Sequence, residues 1–464
     1  MTNGRTNIRQ KVYSFPRGGI TFVDSTVPSR DSCVTAFLPS LSVIPLIQHS
    51  GGRAYPVVNV GDIVKEGMLI GRGRGVGSAN IHATVPGRVI RMVSWKSAGG
   101  KIQDALVIRM EGGFEKLGKP EEVFSWEGMF PYDIQRTISD FGVVEMEGDG
   151  KPVSEIISSI RSAPEPVTLV VRCVFDDPWL ASDYVLCKER AASVAEGAAI
   201  TARTCRVSRI VYAISSREKI LGEMFITAGE KWGIPISVVL VGSKYPQRNQ
   251  REIELALKNY GRKEGIDLGS LFILGPATLS AVYDAVKLRK PIMERYITVG
   301  GSAVRQPQVM KVRIGKRIGD VFAECGGFKG NPKRIATGSP LRGQPLADLD
   351  EPVIKTSYAI FALLEGSRQN NRLNCINCGE CRNVCPVGLD PEELFKETLF
   401  GKRGNLGQGN SQFYTAGPAA ERENAGIDSN HASTMCHDCG CCEIVCPSHL
   451  PLSTAISSFY SRGN

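Results

Sequence analysis

Aliphatic and polar residues alternate in short runs over the first quarter of the chain. Tyr55-Pro-Val-Val-Asn-Val60 leads into a Gly61-Asp62 turn, Ile63-Val64 and Met68-Leu69-Ile70 flank Gly67, and His82-Ala-Thr-Val-Pro86-Gly87-Arg-Val-Ile90 follows. Period-two alternation cut by Gly, Pro and Asp marks short, half-buried strands, and predicts a small β barrel or sandwich over residues 1–118. From 119 to 285 the pattern changes to solid aliphatic runs between amphipathic stretches. Val167–Arg172 and Ile236–Val241 read as buried strands, and Ala191–Ile200 and Ser216–Leu221 as helices. That alternation predicts an α/β layer. A β-rich unit is expected over 286–345, from Tyr296–Val304 and Lys311–Gly315, with a short helix at Asp320–Cys325 before Gly326-Gly327. From 346 to 464 the chain should be mostly helical, with 401–434, rich in Gly, Asn, Ser and Ala, as a surface excursion. The expected fold class is multidomain α+β.

Composition narrows the setting. The 464 residues suit several domains, and a hydrophobic content of 42% is ordinary for a globular protein that buries real cores. The opening MTNGRTNIRQK is polar and basic, without the apolar centre of a signal peptide. No stretch reaches the roughly eighteen apolar residues that a spanning helix requires. A cytoplasmic protein without signal peptide or transmembrane helix is expected. The formal charge of +9 fits a solvated surface, or a basic face for an acidic ferredoxin or a membrane. No basic run is interleaved with aromatics, which argues against nucleic acid.

The cysteines carry the chemistry. Cys375, Cys378, Cys381 and Cys385 precede Pro386; Cys436, Cys439, Cys442 and Cys446 precede Pro447. This Cys-x2-Cys-x2-Cys-x3-Cys-Pro spacing is that of bacterial ferredoxins, in which the fourth Cys of each run ligates the other cluster. Two 4Fe–4S clusters are expected, one held by Cys375, Cys378, Cys381 and Cys446, the other by Cys436, Cys439, Cys442 and Cys385. Structural zinc favours two pairs split by a longer loop, and disulfides need an oxidising compartment. Cys441 lies beside Cys442 and reads as a bystander; Cys33, Cys173, Cys187, Cys205 and Cys325 read as buried small hydrophobes.

Residues 55–90 resemble the lipoyl/biotinyl hammerhead, but the tip Ser78–Thr84 has no lysine for a swinging arm, and His82 reads as a packed or surface side chain. The order of parts resembles the C subunit of Rnf-type ion-translocating ferredoxin:NAD oxidoreductases. The strings carrying this are Phe15-Pro-Arg-Gly18-Gly19-Ile20, Ile44-Pro45-Leu-Ile-Gln48-His49, Val60-Gly61-Asp62, His82-Ala-Thr and Tyr245-Pro246-Gln247, with Pro291–Gly327 resembling a soluble-ligand-binding β-grasp unit and the paired cysteine runs behind it. The resemblance implies four parts: an N-terminal barrel-sandwich hybrid, an α/β flavoprotein-like domain similar to the FMN/NADH-binding domain of complex I, a β-grasp (SLBB-like) unit and an α-helical dicluster ferredoxin domain. It implies partners too, namely other subunits of a redox complex, including membrane-embedded ones, and a ferredoxin or flavoprotein. It places the chain as a peripheral subunit on the inner face of the cell membrane.

The resemblance also implies FMN and NAD(H), and there this sequence departs from the family pattern. Where the family carries a glycine-rich phosphate loop, this chain reads Glu145-Met-Glu147-Gly148-Asp149-Gly150-Lys151-Pro152, with Glu155 or Ile156 in place of a later lysine. Such loops cradle phosphates with backbone N–H groups, and carboxylates there have the wrong sign. Asp176-Asp177-Pro178-Trp179, Ile273-Leu-Gly275-Pro276 and Arg248-Asn249-Gln250 replace three further stretches of the flavin pocket. If a flavin site is retained, Gly148, Gly150, Asp177 and Lys151 would line it. The expected function is an electron-relay subunit with no catalytic residue of its own. The alternatives are an NADH:acceptor oxidoreductase using FMN, a carrier serving a soluble reductase, and a docking scaffold stapled by its clusters.

Overall fold

The computed structural model describes residues 11–22, 28–96, 102–115, 117–147, 150–346, 348–364, 373–400 and 435–460. Within these, the strands form four sheets. The largest hydrophobic core surrounds a five-stranded parallel sheet in the order Val12–Tyr13, Ile236–Val241, Arg209–Ser215, Val167–Cys173, Ser270–Leu274. Every residue of Val167–Cys173 is buried, as expected for a central parallel strand covered on both faces. Each Val or Leu hidden there contributes roughly 1.5–3 kcal/mol. Helices Ala191–Cys205 and Pro276–Lys287 cover one face, and they touch closely because Gly197 has no side chain. A Cβ at that position would stand 1.9 Å from the Leu279 carbonyl oxygen.

The barrel consists of an antiparallel sheet in the order Leu41–Pro45, Ile102–Met110, Gly87–Lys96, Ile63–Val64, and a smaller one of Ala54–Pro56, Leu69–Gly73 and Ile81–His82. Its lysine-free tip is packed down rather than free. Gly77 N–H donates to Glu155 Oε1 at 2.6 Å, and His82 is buried and stacked on Phe141 with ring centres 6.2 Å apart. Burial pushes the His82 pKa down to about 3, the state of a packed neutral imidazole.

Four expectations need correction. The two described strands before residue 36 do not join the barrel sheets: Val12–Tyr13 pairs with Leu240–Val241 in the parallel sheet, and Cys33–Thr35 pairs with Val309–Lys311. Strands of two or three residues contribute their pairing to distant partners and leave no local signal. Next, 346–464 is not helical from its start. Ala359–Leu363 is a strand between Glu294–Gly300 and Arg334–Thr337 in the β-grasp sheet, because a short apolar run is satisfied equally by a buried strand. The helix expected at Ser216 begins at Lys219, since Ser216 N–H still bonds the Val241 carbonyl at 2.9 Å and prolongs the sheet. Cys33 is half-buried rather than buried, while Cys173, Cys187, Cys205 and Cys325 lie in the core. The segment 401–434 lies outside the described residues.

Lys355 joins three parts at one point. Its buried ammonium donates to the carbonyls of Asn80 in the barrel at 2.6 Å and Gly142 in the α/β domain at 2.8 Å. Burial pushes its pKa down to about 7.

Candidate functional site

The two cysteine runs fold as repeats of one backbone design. Asn377 and Asp438 have φ of 54° and 50°, Gly379 and Gly440 have 77° and 75°, and Gly388 and His449 have 74° and 54°. Each left-handed residue of the first run thus meets its counterpart in the second. Short helices Glu380–Val384 and Cys441–Val445 follow, each entered from its left-handed glycine. Left-handed residues turn the chain sharply, so that each Cys-x2-Cys-x2-Cys arc curls round a hollow.

Two small cavities result. Cys375, Cys378, Cys381 and Cys446 line the first, with Ile376, Glu392 and Leu452. Cys436, Cys439, Cys442 and Cys385 line the second, with Leu389, Ile456 and Cys441. In each case the fourth thiol comes from the other run. Four sulfur donors around an apolar hollow are the donor set of a cubane cluster. Among the described residues, no three His, Cys, Asp or Glu side chains gather tightly enough for a single metal ion. Burial pushes the Cys381 thiol up to about 11 and Cys442 further, whereas a hydrogen bond from Cys441 draws Cys439 down. Iron would have to displace protons from most of these groups. Cys441 is fully buried against this cavity and in contact with a ligand candidate, closer to the chemistry than its spacing suggested.

The strings that carried the family resemblance hold this module in place. Gly18 sits so close to the second hollow that a Cβ would lie 2.6 Å from the carbonyl oxygens of Val384 and Cys385, and its φ is +62°. Gly19 N–H donates to the Val384 carbonyl at 2.9 Å. Lys244 Nζ donates to the Gly18 carbonyl at 3.0 Å and stands 3.9 Å over the Phe15 ring. Tyr245 donates its hydroxyl to the Cys439 carbonyl at 2.7 Å, and Arg342 donates to that of His437 at 2.9 Å.

Beside the second hollow opens a cleft of about 770 Å³. His437 lines both cleft and hollow, with its Nε2 3.6 Å from Oε1 of the buried Glu252. The stretches that depart from the family pattern converge here: Glu145, Glu147, Asp176, Asp177, Arg248, Asn249, Gln250 and Ile273 all line the cleft. Of the described residues expected at a flavin site, only Asp177 does so; it is buried, accepts a hydrogen bond from Ser339 Oγ and receives Trp179 N–H at 3.1 Å. Gly150 packs instead on the barrel, where a Cβ would meet His49 Cβ at 3.1 Å. Lys151 is exposed, and Gly148 lies outside the described residues.

The Glu147 carboxylate is buried to 0% exposure between Arg172 at 3.3 Å and Arg248 at 3.1 Å, and Arg248 also holds Asp183 at 2.7 Å. Burial pushes the Glu147 pKa up, Asp183 adds to that, and Arg248, Arg172 and Arg295 oppose it. The sequence marked Glu147 as an acid in a phosphate loop. Arg172 carried no signal, because it sits inside an ordinary strand.

FMN does not fit this arrangement. A phosphate brought to the helix start behind Gly275 would meet the Glu147 carboxylate, already bonded by Ala277 N–H at 3.3 Å. The thiol quartets, by contrast, fit iron–sulfur clusters.

Comparison with known proteins completes the site. Family models match in sequence order: the RnfC barrel sandwich hybrid domain at residues 14–113, the Nuo51 FMN-binding domain at 138–284, the SLBB domain at 296–345 and the 4Fe–4S dicluster domain at 372–450. The chain is 32% identical over 363 residues to the C subunit of the ion-translocating oxidoreductase complex of Rhodobacter capsulatus, covering 77% of this chain and 69% of that one. It is 30% identical over 388 residues to the C subunit of the proton-translocating ferredoxin:NAD(+) oxidoreductase complex of Clostridium ljungdahlii, covering 82% and 83%. A solved chain of an NAD+-reducing NiFe hydrogenase in the H2-reduced state is 15% identical with a TM-score of 0.44, covering 58% of this chain and 52% of that one, about half its length.

Proposed function

The chain belongs to the family of C subunits of ion-translocating oxidoreductase complexes, and from that premise we propose how its residues serve the family's task. It is an electron-transfer iron–sulfur subunit of an Rnf-type complex. In our reading, Cys375, Cys378, Cys381 and Cys446 ligate one 4Fe–4S cluster, and Cys436, Cys439, Cys442 and Cys385 the other. The observation that carries this is the crossed lining of the two hollows. Such clusters supply one-electron storage at potentials tuned by burial and by hydrogen bonds to sulfur.

The remaining residues shape the route. Buried Leu389, Leu394, Phe395, Leu450 and Leu452 keep water from the thiols. Tyr245 and Arg342 pin the second run against the cleft wall. At the other end Cys378 is exposed beside Leu373 and Ile376, which are 62% and 64% exposed. That rim offers a redox partner a short approach to the first quartet. The partners in this proposal are the other subunits of the complex, membrane-embedded ones among them, and a ferredoxin or flavoprotein. Among the described residues no helix is long and apolar enough to cross a membrane; peripheral attachment at the inner face of the cell membrane is part of the same proposal.

The competing reading, an NADH:acceptor oxidoreductase, needs FMN to convert hydride to single electrons, and the occupied helix start behind Gly275 counts against it. An anaerobic titration separates the two. With clusters reconstituted to about eight iron atoms per chain, dithionite should bleach the iron–sulfur absorbance, and NADH with added FMN should not. Bleaching by NADH that requires FMN would overturn the relay reading in favour of the enzyme.

A further inference from the structure

The cleft is large enough for a flavin-sized ligand, yet the helix start behind its wall residue Glu147 is taken by the chain itself. A helix start leaves backbone N–H groups without helical partners and carries partial positive charge. At the start of Pro276–Lys287, the Ala277 N–H points at Glu147 Oε1 at 3.3 Å. The carboxylate lies so tightly on Gly275 that a Cβ there would stand within 2.0 Å of both its oxygens. Arg172 and Arg248 close on it from the other side, at 3.3 and 3.1 Å.

Arg172 also lies 4.0 Å from Glu145, and Arg248 holds Asp183 at 2.7 Å, so Glu147 is the carboxylate that both arginines share. One donor is also left over. Arg172 Nε is buried with no hydrogen-bond partner among the described residues, as though the position had room for an acceptor with more than two oxygens. A phosphate presents three.

We propose that Glu147 is a built-in anion that occupies the phosphate position at the start of helix Pro276–Lys287 and thereby closes the cleft to phosphate-bearing flavin nucleotides. The exclusion acts on charge and not on size, since about 770 Å³ of cleft stays open. The cleft therefore discriminates against the tail of a flavin nucleotide and leaves the ring system indifferent. This proposal does not rest on the relay reading, because it concerns binding without electron transfer.

Equilibrium dialysis of the cluster-loaded protein against FMN and against riboflavin, which differ only in the phosphate, tests it. The native chain should bind FMN at least about threefold more weakly than riboflavin. Glu147→Gly should favour FMN by about tenfold or more, the worth of one charge-assisted hydrogen bond. Glu147→Gln keeps the bulk while removing the charge, and should show a smaller preference of the same sign. A native chain that binds FMN as tightly as riboflavin, or more tightly, overturns the proposal, whatever the variants do. So do variants with intact visible iron–sulfur spectra that show no preference for FMN. If Glu147→Gly fails to fold, the native chain and Glu147→Gln decide.

Discussion

In the cysteine module, every position that the ligand spacing requires carries a thiol lining one of two hollows. In the neighbouring cleft, the phosphate-loop pattern has given way to Glu145 and Glu147, and the second of these is locked between two arginines. The two regions adjoin at His437 and have met opposite fates, and the difference lies in what each kind of site demands. A cubane cluster needs four outside donors per metal group, and no other part of the chain can stand in for a missing thiol. A phosphate position needs only negative charge and acceptor oxygens, which a glutamate supplies from within. On the reading proposed above, the domain keeps its fold without a flavin phosphate because a side chain takes over the electrostatic role of that phosphate.

The largest effect that would break or sharpen this contrast lies in the thiols. If the fourth ligands cross, Cys375→Ala with Cys446→Ala removes two ligands of one cluster and should leave about half the iron. Cys375→Ala with Cys385→Ala strikes both clusters and should leave little. Iron analysis with low-temperature EPR of the reduced proteins reads the answer, and the reverse ranking would mean that each run serves its own cluster. A smaller effect is expected in the cleft. Arg248→Met leaves Glu147 and Asp183 short of a partner, and should cost roughly 3–5 kcal/mol of unfolding free energy in urea, with iron content unchanged. Loss of iron in that variant would show the two regions to be less separable than the contrast requires.

The smallest effect is one of pH. Burial raises the Asp176 carboxyl from 3.8 to about 7, so between those values the folded chain holds a proton that the unfolded chain has released. Stability from this group is complete below the unfolded value and falls as pH rises through the folded one. From about pH 6 to about pH 8 the fall should be about 1.4 kcal/mol. Asp176→Asn should remove that slope, as followed by thermal unfolding at several pH values. An unchanged slope would assign it to another group.

The sequence made the aliphatic strands at Val167 and Ile236 legible, because parallel strands buried on both faces appear as unbroken apolar runs. The crossed lining of the two hollows follows the cysteine spacing, which is a local property. What stayed hidden depends on distant partners. Val12–Tyr13 is too short to show a period and is a strand only because Leu240 and Val241 lie beside it. Ala359–Leu363 has the composition of either a strand or a buried helix, and its neighbours at Thr298–Gly300 decide which. In the cleft, the acid at 147 could be read but not its answering Arg172, which looks like any polar residue in a strand. Gly150 matched a loop pattern by position, yet its left-handed turn packs against His49.

The thread before the barrel has a bearing on how this molecule comes into being. Val12–Tyr13 pairs with Leu240–Val241, Gly18 and Gly19 lie against Val384 and Cys385, and Cys33–Thr35 pairs with Val309–Lys311. A ribosome releases that thread before its partners, each of which emerges two hundred or more residues later. It has to wait, without them, through the synthesis of nearly everything it will join. Pairing over such separations is slow, so the thread closes over the Cys385 turn only after each of these distant partners has been made.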